Sequence, residues 1–215
     1  MAILFAQNWD IIEGREGDYA RFVSETYVPG TMSLGLISVG GYYVETGFGP
    51  RIVAVLSSET VRALADAVVQ KKFKELTTEL KSFVCNYHSY VLEPTGRVKH
   101  EKYIIQKGVW KFNQYYDVKP GKKRAYADFV LNEHLPTMQS IDYVDVAGGW
   151  NVLFGSVSEI IAEFTFKDPE DIGKLLKNEA FRRITIRLKT DYVTNYQSRT
   201  LRCTERFDEV KWVKL

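Results

Sequence analysis

The sequence is poor in the features that mark secreted, metal-binding and membrane proteins. Only two cysteines, Cys85 and Cys203, occur in 215 residues, and their spacing fits neither a disulfide framework nor a metal site. We therefore predict two free thiols in a reducing compartment. The first residues lack the basic flank and cleavage site of a secretion signal, and no apolar run approaches about 18 residues. A cytoplasmic protein without a membrane partner is the expectation.

Neither sign of charge predominates in the sequence. The 29 basic and 27 acidic residues give a formal net charge of +2, and acidic residues surround the basic clusters at 122–124 and 182–187. Nucleic acid is therefore not an expected partner, because it selects a strongly basic face. The glycine patterns of nucleotide-binding loops, the Gly-x-Ser-x-Gly motif of hydrolases and His/Cys metal clusters do not occur in the sequence, so no metal is expected.

What the chain does contain is an internal repeat. The stretch 126–136, YADFVLNEHLP, matches 19–29, YARFVSETYVP, at four identical residues and a closing proline. Further matches follow in the same order along both halves, down to YVTNYQS at 192–198 against FVCNYHS at 83–89. This order indicates a duplicated unit. Within the first pair, His134 stands where the earlier copy has Tyr27.

Each copy has the order strand, helix, strand, strand, helix, strand. Alternation and apolar spacing in the first copy predict strands at 3–11, 34–45, 51–56 and 83–92, with helices at 19–28 and 59–81. The second copy repeats this pattern, with its long helix at 168–189. Prolines 29 and 136 are expected to end their helices, and Gly40-Gly41 predicts a bulge. The predicted boundaries are unit 1 at 1–93, a connector at 94–107, unit 2 at 108–203 and a C-terminal extension at 204–215.

This pattern predicts an α+β fold made of two tandem ferredoxin-like βαββαβ repeats. The strands are apolar or aromatic on both sides, so the two sheets should cover each other within one chain. The chain resembles the dimeric α/β-barrel superfamily, in which two such units form a barrel with a pseudo-twofold axis. The His134-Leu135-Pro136 motif is similar to the first helix of the EthD-like members. The first copy departs from that motif, because it has Tyr27.

His134 is the candidate catalytic residue. It falls on the helical stripe of Tyr126, Phe129 and Val130, which should face the sheet. There, a neutral imidazole can act as a general base or ligate haem iron. The alternative is a core histidine without catalytic function. The residues predicted to shape a pocket around it are Gln114, Tyr116, Tyr126, Trp150 and Tyr196.

Residues that occur in both copies are more simply structural. A duplicated scaffold needs the same hydrogen bonds twice, and the sequence repeats Gln7 as Gln114, Asp10 as Asp117 and Asn86-Tyr87 as Asn195-Tyr196. Gln114 has a second interpretation, since it could orient His134 if both line one pocket.

The resemblance implies several functions. Members of the superfamily include cofactor-free monooxygenases, isomerases and cyclases that act on aromatic or polyketide-like compounds, and a protein of this kind, binding a small molecule without a cofactor, is the leading hypothesis. The first alternative is a haem-binding protein similar to chlorite dismutase, with His134 as axial ligand. The second is a non-catalytic assembly protein. A homo-oligomer is a further expectation.

Overall fold

The computed structural model describes residues 3–98, 102–105, 109–204 and 211–214. The first unit comprises β1 (Ile3–Ile11), α1 (Glu16–Phe22), a π-helical segment (Val23–Tyr27), α2 (Val28–Met32), β2 (Ile37–Gly47), β3 (Ile52–Ser58), α3 (Val61–Val68), α4 (Lys71–Leu80) and β4 (Val84–Pro94). Strand β5 (Lys102–Ile105) follows. The second unit comprises β6 (Trp110–Val118), α5 (Lys123–Phe129), a π-helical segment (Val130–His134), α6 (Leu135–Gln139), β7 (Asp145–Phe154), β8 (Ile160–Phe166), α7 (Pro169–Lys177), α8 (Glu179–Arg187), a π-helical segment (Leu188–Tyr192) and β9 (Val193–Cys203), and β10 (Lys211–Lys214) comes last.

Eight strands form one closed antiparallel barrel in the order β1-β3-β2-β9-β6-β8-β7-β4. Each unit contributes four neighbouring strands in the ferredoxin-like order. The last strand of each unit pairs with the second strand of the other, as β4 with β7 and β9 with β2. The predicted α+β fold of two tandem ferredoxin-like units is therefore confirmed. Among the described residues, no helix is long and apolar enough to cross a membrane.

The barrel wall has two buried faces, because successive residues of a strand point to opposite sides. On β1, Leu4 and Ala6 belong to a core cluster inside the barrel, while Phe5 and Trp9 pack under the helices. One unit therefore covers the inner face of the other, as the apolar strands predicted.

The first helix of each unit does not end at its proline, contrary to the prediction. Pro29 lies in the first turn of α2, and Pro136 occupies the same position in α6. A π-helical segment precedes each of them, and the N–H of Val28 bonds to the carbonyl of Val23, five residues earlier. The wider π turn lets the chain continue past a ring that would otherwise clash with the preceding turn.

The two long helices are each divided, where a single helix was predicted. The first breaks at Gln70 and the second at Asn178, both of which have extended backbone. Asn178 starts the next helix by accepting a hydrogen bond from the Phe181 N–H (3.1 Å). The first halves of both long helices are capped by side chains, because Thr60 accepts from the Ala63 N–H and Asp168 accepts from the Glu170 N–H.

Asp117 holds together the ends of three strands. Its carboxylate accepts hydrogen bonds from the Glu159 N–H (2.7 Å) and from Asn195 Nδ2 (2.8 Å). In the first unit, Asp10 accepts the equivalent bonds from the Arg51 N–H and from Asn86. The structural interpretation of these repeated residues is confirmed.

Asn195 has a φ of 54°, which is the left-handed conformation that side chains with a Cβ rarely adopt. We expect Asn195→Gly to lose only the hydrogen bond to Asp117, whereas Asn195→Ala also introduces backbone strain. The alanine variant should therefore be less stable than the glycine variant by about 1 kcal/mol. Urea unfolding of both variants measures this difference, and equal stabilities would contradict it.

Strands β5 and β10 pair with each other outside the barrel, with Lys102 opposite Lys214. They fall in the segments predicted as connector and C-terminal extension, where no strand was predicted. The domain boundaries given above stay a prediction.

Candidate functional site

The same place in the two units, between the first helix and the sheet, is built differently. In the first unit Gln7 donates to the hydroxyls of Tyr27 (2.8 Å) and Tyr87 (2.7 Å) and accepts from Tyr27 (3.0 Å). Trp9 stacks on Tyr87 and donates its indole N–H to the Tyr19 hydroxyl (3.0 Å). This place is filled by large rings whose polar atoms have partners.

In the second unit, smaller side chains occupy two of these positions. Tyr116 replaces Trp9 and His134 replaces Tyr27, while Tyr116 keeps the stacking contact with Tyr196 (ring centroids 6.2 Å apart). The hydroxyls of Tyr116 and Tyr126 are hydrogen-bonded at 3.0 Å. Both polar atoms of Gln114 and the Nε2 of His134 are buried and have no hydrogen-bond partner among the described residues.

A cavity of about 30 Å³ lies beside His134, between helix and sheet. This is room for about two water molecules. The residues that line it include His134, Tyr116, Tyr126, Ala162 and Phe164. The segment after β4 adds Thr95, Arg97 and Val98. His134 is 3% exposed and packs against Phe129 and Phe164, with ring centroids 6.0 and 6.2 Å away. The imidazole therefore faces both the core and the cavity.

The structure brings together some of the predicted pocket residues and separates one. Tyr116 and Tyr126 line the cavity with His134, and Tyr196 lies directly behind Tyr116. Gln114 is fully buried on the same strand as Tyr116. Trp150 differs from the expectation, because it points into the barrel and donates its indole N–H to Glu163 (2.7 Å).

Burial sets the protonation of the groups around the cavity. It lowers the pKa of His134 to about 4, so the imidazole is neutral at pH 7 and can accept a proton. Burial also raises the pKa of Tyr116 well above its usual value and raises the pKa of Tyr126. The positive charge of Arg97 opposes both increases. At neutral pH the site thus contains a neutral imidazole and a pair of neutral phenols, one of which donates its O–H to the other.

The buried imidazole makes stability depend on pH in a window that follows from its pKa. The unfolded chain binds a proton near pH 6.5, and the folded chain only near pH 4. Between these values protons favour the unfolded state, so stability falls as the pH drops from about 6.5 to 4, by about 3 kcal/mol in total. We expect His134→Tyr, which restores the residue of the first unit, to remove this loss. The difference in the free energy of unfolding between the variant and the wild type, measured by urea unfolding, should increase in favour of the variant from pH 7 to pH 4.

Arg97 was not among the predicted site residues. Its guanidinium lies over the Tyr126 ring, 5.3 Å from the centroid, at the edge of the cavity. None of the described carboxylates forms an ion pair with it. The sequence places it in a polar connector after the last strand of the first unit, and nothing in its neighbours indicates that this segment reaches the second unit.

Haem does not fit beside His134. A bound haem needs a slot of roughly 300 Å³ or more, whereas this cavity has about a tenth of that volume. The Phe164 ring of the sheet also lies against the imidazole, with the ring centroids 6.2 Å apart. The arrangement therefore does not support the haem alternative.

Comparison with known proteins identifies the fold. No protein-family model matches the chain, and no curated protein matches its sequence. A candidate monooxygenase from Lactobacillus acidophilus NCFM is similar in structure, with a TM-score of 0.63 and 12% identity over 100% of this chain and 99% of that one. An anthrone oxidase-like protein has a TM-score of 0.63 and 10% identity, covering 98% and 92%. A candidate chlorite dismutase, TA0507, has a TM-score of 0.53 and 10% identity, covering 95% of each chain.

These likenesses show a barrel of two ferredoxin-like units in which helices surround one closed sheet. The chain has the dimeric α/β-barrel fold, with both units in one polypeptide. At 10–12% identity the comparisons support the fold, and the function must be argued from the site.

Proposed function

We propose that the chain is a cofactor-free enzyme that removes a proton from a small aromatic or polyketide-like compound at the cavity beside His134. The observation that supports this most is the imidazole itself. It is neutral, buried and has an Nε2 without a partner among the described residues, and it lines a cavity with two phenol groups. The first unit fills the same place with Tyr27, so the base is confined to one half of the barrel.

The chemistry assigned to each group is simple. His134 takes the proton from an acidic C–H next to a carbonyl or aromatic ring, and the electron pair moves onto the carbonyl oxygen as an enolate or phenolate. Of the Tyr116 and Tyr126 hydroxyls, the one that does not donate to the other is the available donor for that oxygen, and the Arg97 guanidinium lies over the Tyr126 ring. With O₂ as co-substrate, an anthrone loses two hydrogens and gains one oxygen atom, giving an anthraquinone and water.

A ring-sized substrate needs more room than the cavity offers. The residues at its edge, Thr95, Arg97 and Val98, are only partly buried. One backbone hydrogen bond, from the Thr95 N–H to the Gly149 carbonyl (2.8 Å), ties this segment to the sheet. Displacing these side chains opens the cavity without moving a helix, and we infer that the substrate enters there.

Turnover of an anthrone tests the proposal. Purified protein, freed of metal by chelation, is mixed with anthrone in air-saturated buffer. Quinone absorbance and O₂ consumption are followed together, and one O₂ should be consumed for each quinone formed. A slower reaction under nitrogen and an unchanged rate with chelator are expected. No binding of anthrone or of single-ring analogues, by calorimetry, would overturn the proposal and favour the non-catalytic assembly alternative.

Location and assembly complete the proposal. We expect a cytoplasmic protein, in line with its two free cysteines, which form no disulfide. We also expect a homo-oligomer. Light scattering after size-exclusion chromatography measures the assembly.

A further inference from the structure

In the first unit, a glutamine of the opening strand and a tyrosine of the first helix form a reciprocal pair of hydrogen bonds. Gln7 Nε2 donates to the Tyr27 hydroxyl (2.8 Å), and this hydroxyl donates back to Gln7 Oε1 (3.0 Å). Both side chains are buried. The amide thus uses one donor and its acceptor on a single phenolic hydroxyl group, which can donate once and also accept.

The second unit keeps this glutamine in the same place on the sheet. Gln114 lies opposite Ala162 in the strand register, as Gln7 lies opposite Ala54. Gln114 also lies next to the Tyr196 phenol, because its amide opposes the increase that burial causes in the pKa of Tyr196. The glutamine side chain therefore has the same surroundings on the strand side in both units.

On the helix side, the second unit lacks the hydroxyl. His134 replaces Tyr27, and a histidine is shorter than a tyrosine, so the imidazole ends before it reaches the Gln114 amide. Gln114 Oε1, Gln114 Nε2 and His134 Nε2 are all buried, and none of them has a hydrogen-bond partner among the described residues. Buried polar groups without partners are costly. We call the space between the amide and the imidazole, which corresponds to the Tyr27 hydroxyl, the hydroxyl position.

The hydroxyl position adjoins the cavity beside His134. His134 and Ala162 both line this cavity, and Ala162 is the cross-strand neighbour of Gln114. The Cβ atoms of such neighbours are about 4.5–5.5 Å apart. A ring that packs against Ala162 therefore lies within reach of the amide through one substituent. Tyr116, which follows Gln114 on the same face of β6, lines the cavity as well.

We propose that the Gln114 amide binds a hydroxyl group on the aromatic ring of the substrate, at the hydroxyl position, so that the cavity selects phenols. The hydroxyl accepts from Nε2 and donates to Oε1, as the Tyr27 hydroxyl does with Gln7. His134 Nε2 stays free to take the C–H proton. This inference rests on the proposed function, because it names the substrate class of the same cavity. Water offers the same hydrogen bonds, so the experiment must separate water from a phenol.

Binding of phenol, anisole and toluene, measured by calorimetry, tests this selection without any turnover. The three compounds have one ring each, but only phenol can both donate a hydrogen bond and accept one. We expect phenol to bind about 10- to 100-fold more tightly than the other two, which is the change that two buried hydrogen bonds produce. In a crystal soaked with phenol, the phenol oxygen should lie within hydrogen-bond distance of both polar atoms of Gln114.

Two matched variants locate the selection. Gln114→Leu should bind phenol and toluene with equal affinity, because leucine fills a similar volume and makes no hydrogen bond. Gln7→Leu makes the same change in the first unit and should keep the preference for phenol. The comparison of phenol with toluene on the wild type stands even if a variant fails to fold.

Equal affinities for phenol and toluene in the wild type, or an unchanged preference in Gln114→Leu, would overturn the inference. A water molecule that remains at the hydroxyl position in the phenol-soaked crystal would overturn it too. Turnover of anthrone is a separate measurement. Selective binding of phenol without turnover contradicts only the proposed function, whereas turnover without selective binding contradicts only this inference.

Discussion

Replacing His134 by glutamine lowers the rate of anthrone oxidation by about 100- to 10,000-fold, the usual contribution of a positioned general base. Glutamine has a similar length and can donate or accept hydrogen bonds, but it cannot take up a proton at neutral pH. The binding of the substrate should change little, because Tyr116, Tyr126 and Arg97 remain in place. The effect is therefore expected in kcat, measured by quinone formation under saturating O₂.

Two controls separate catalysis from folding. Tyr27→Phe removes a hydroxyl at the equivalent position of the first unit, where Gln7 is its partner, and should leave turnover unchanged. The pH profile gives an independent check: the wild-type rate should stay level from pH 8 down to about 5 and fall near pH 4, as His134 becomes protonated. A histidine variant with undiminished kcat would show that another group removes the proton.

Replacing Lys111 by leucine destabilises the protein by about 3–5 kcal/mol, which is the usual cost of leaving a buried charge without its partner. The affected charge is the carboxylate of Glu163, which is 7% exposed and 3.0 Å from Lys111 Nζ. The first unit has a leucine, Leu4, at the equivalent strand position, so we expect a leucine side chain to fit here. Chemical denaturation at pH 7 measures the loss.

The double variant Lys111→Leu with Glu163→Val distinguishes charge from packing. It copies Leu4 and Val55, so it removes both charges of this ion pair. We expect it to be more stable than the single variant, although Trp150 loses an acceptor. If the stability losses of the two single variants add up to the loss of the double variant, the two charges do not stabilise each other.

Most of the fold prediction followed from the internal repeat. Because each strand of the second unit has a counterpart in the first, the matching residues predicted all eight barrel strands in their order along the chain. The same comparison located Asp10 and Asp117, whose hydrogen bonds are equivalent in the two units. It also pointed to His134, because a histidine on the core-facing stripe of the helix replaces Tyr27 of the first copy.

Other features could not be predicted, for physical reasons. The bulge between Val146 and Gly148 changes the alternation of β7, so the sequence did not show that Trp150 faces the barrel interior. Prolines 29 and 136 were expected to end helices. The π turns that let these helices continue have no distinct residue pattern, so the sequence did not reveal them. The course of the chain after β4 brings Arg97 to the cavity of the second unit, and no local sequence pattern indicates that course.

The pairing of β4 with β7 and of β9 with β2 has a consequence for how such a barrel can specialise. If two separate copies of one chain formed it, every substitution would appear twice, and a lysine or arginine inside would face its own image across the axis. A single polypeptide is free of that restriction. It can keep buried charges out of the strands of one half, and place a base in one cleft and charges along one wall, which an exact twofold assembly cannot do.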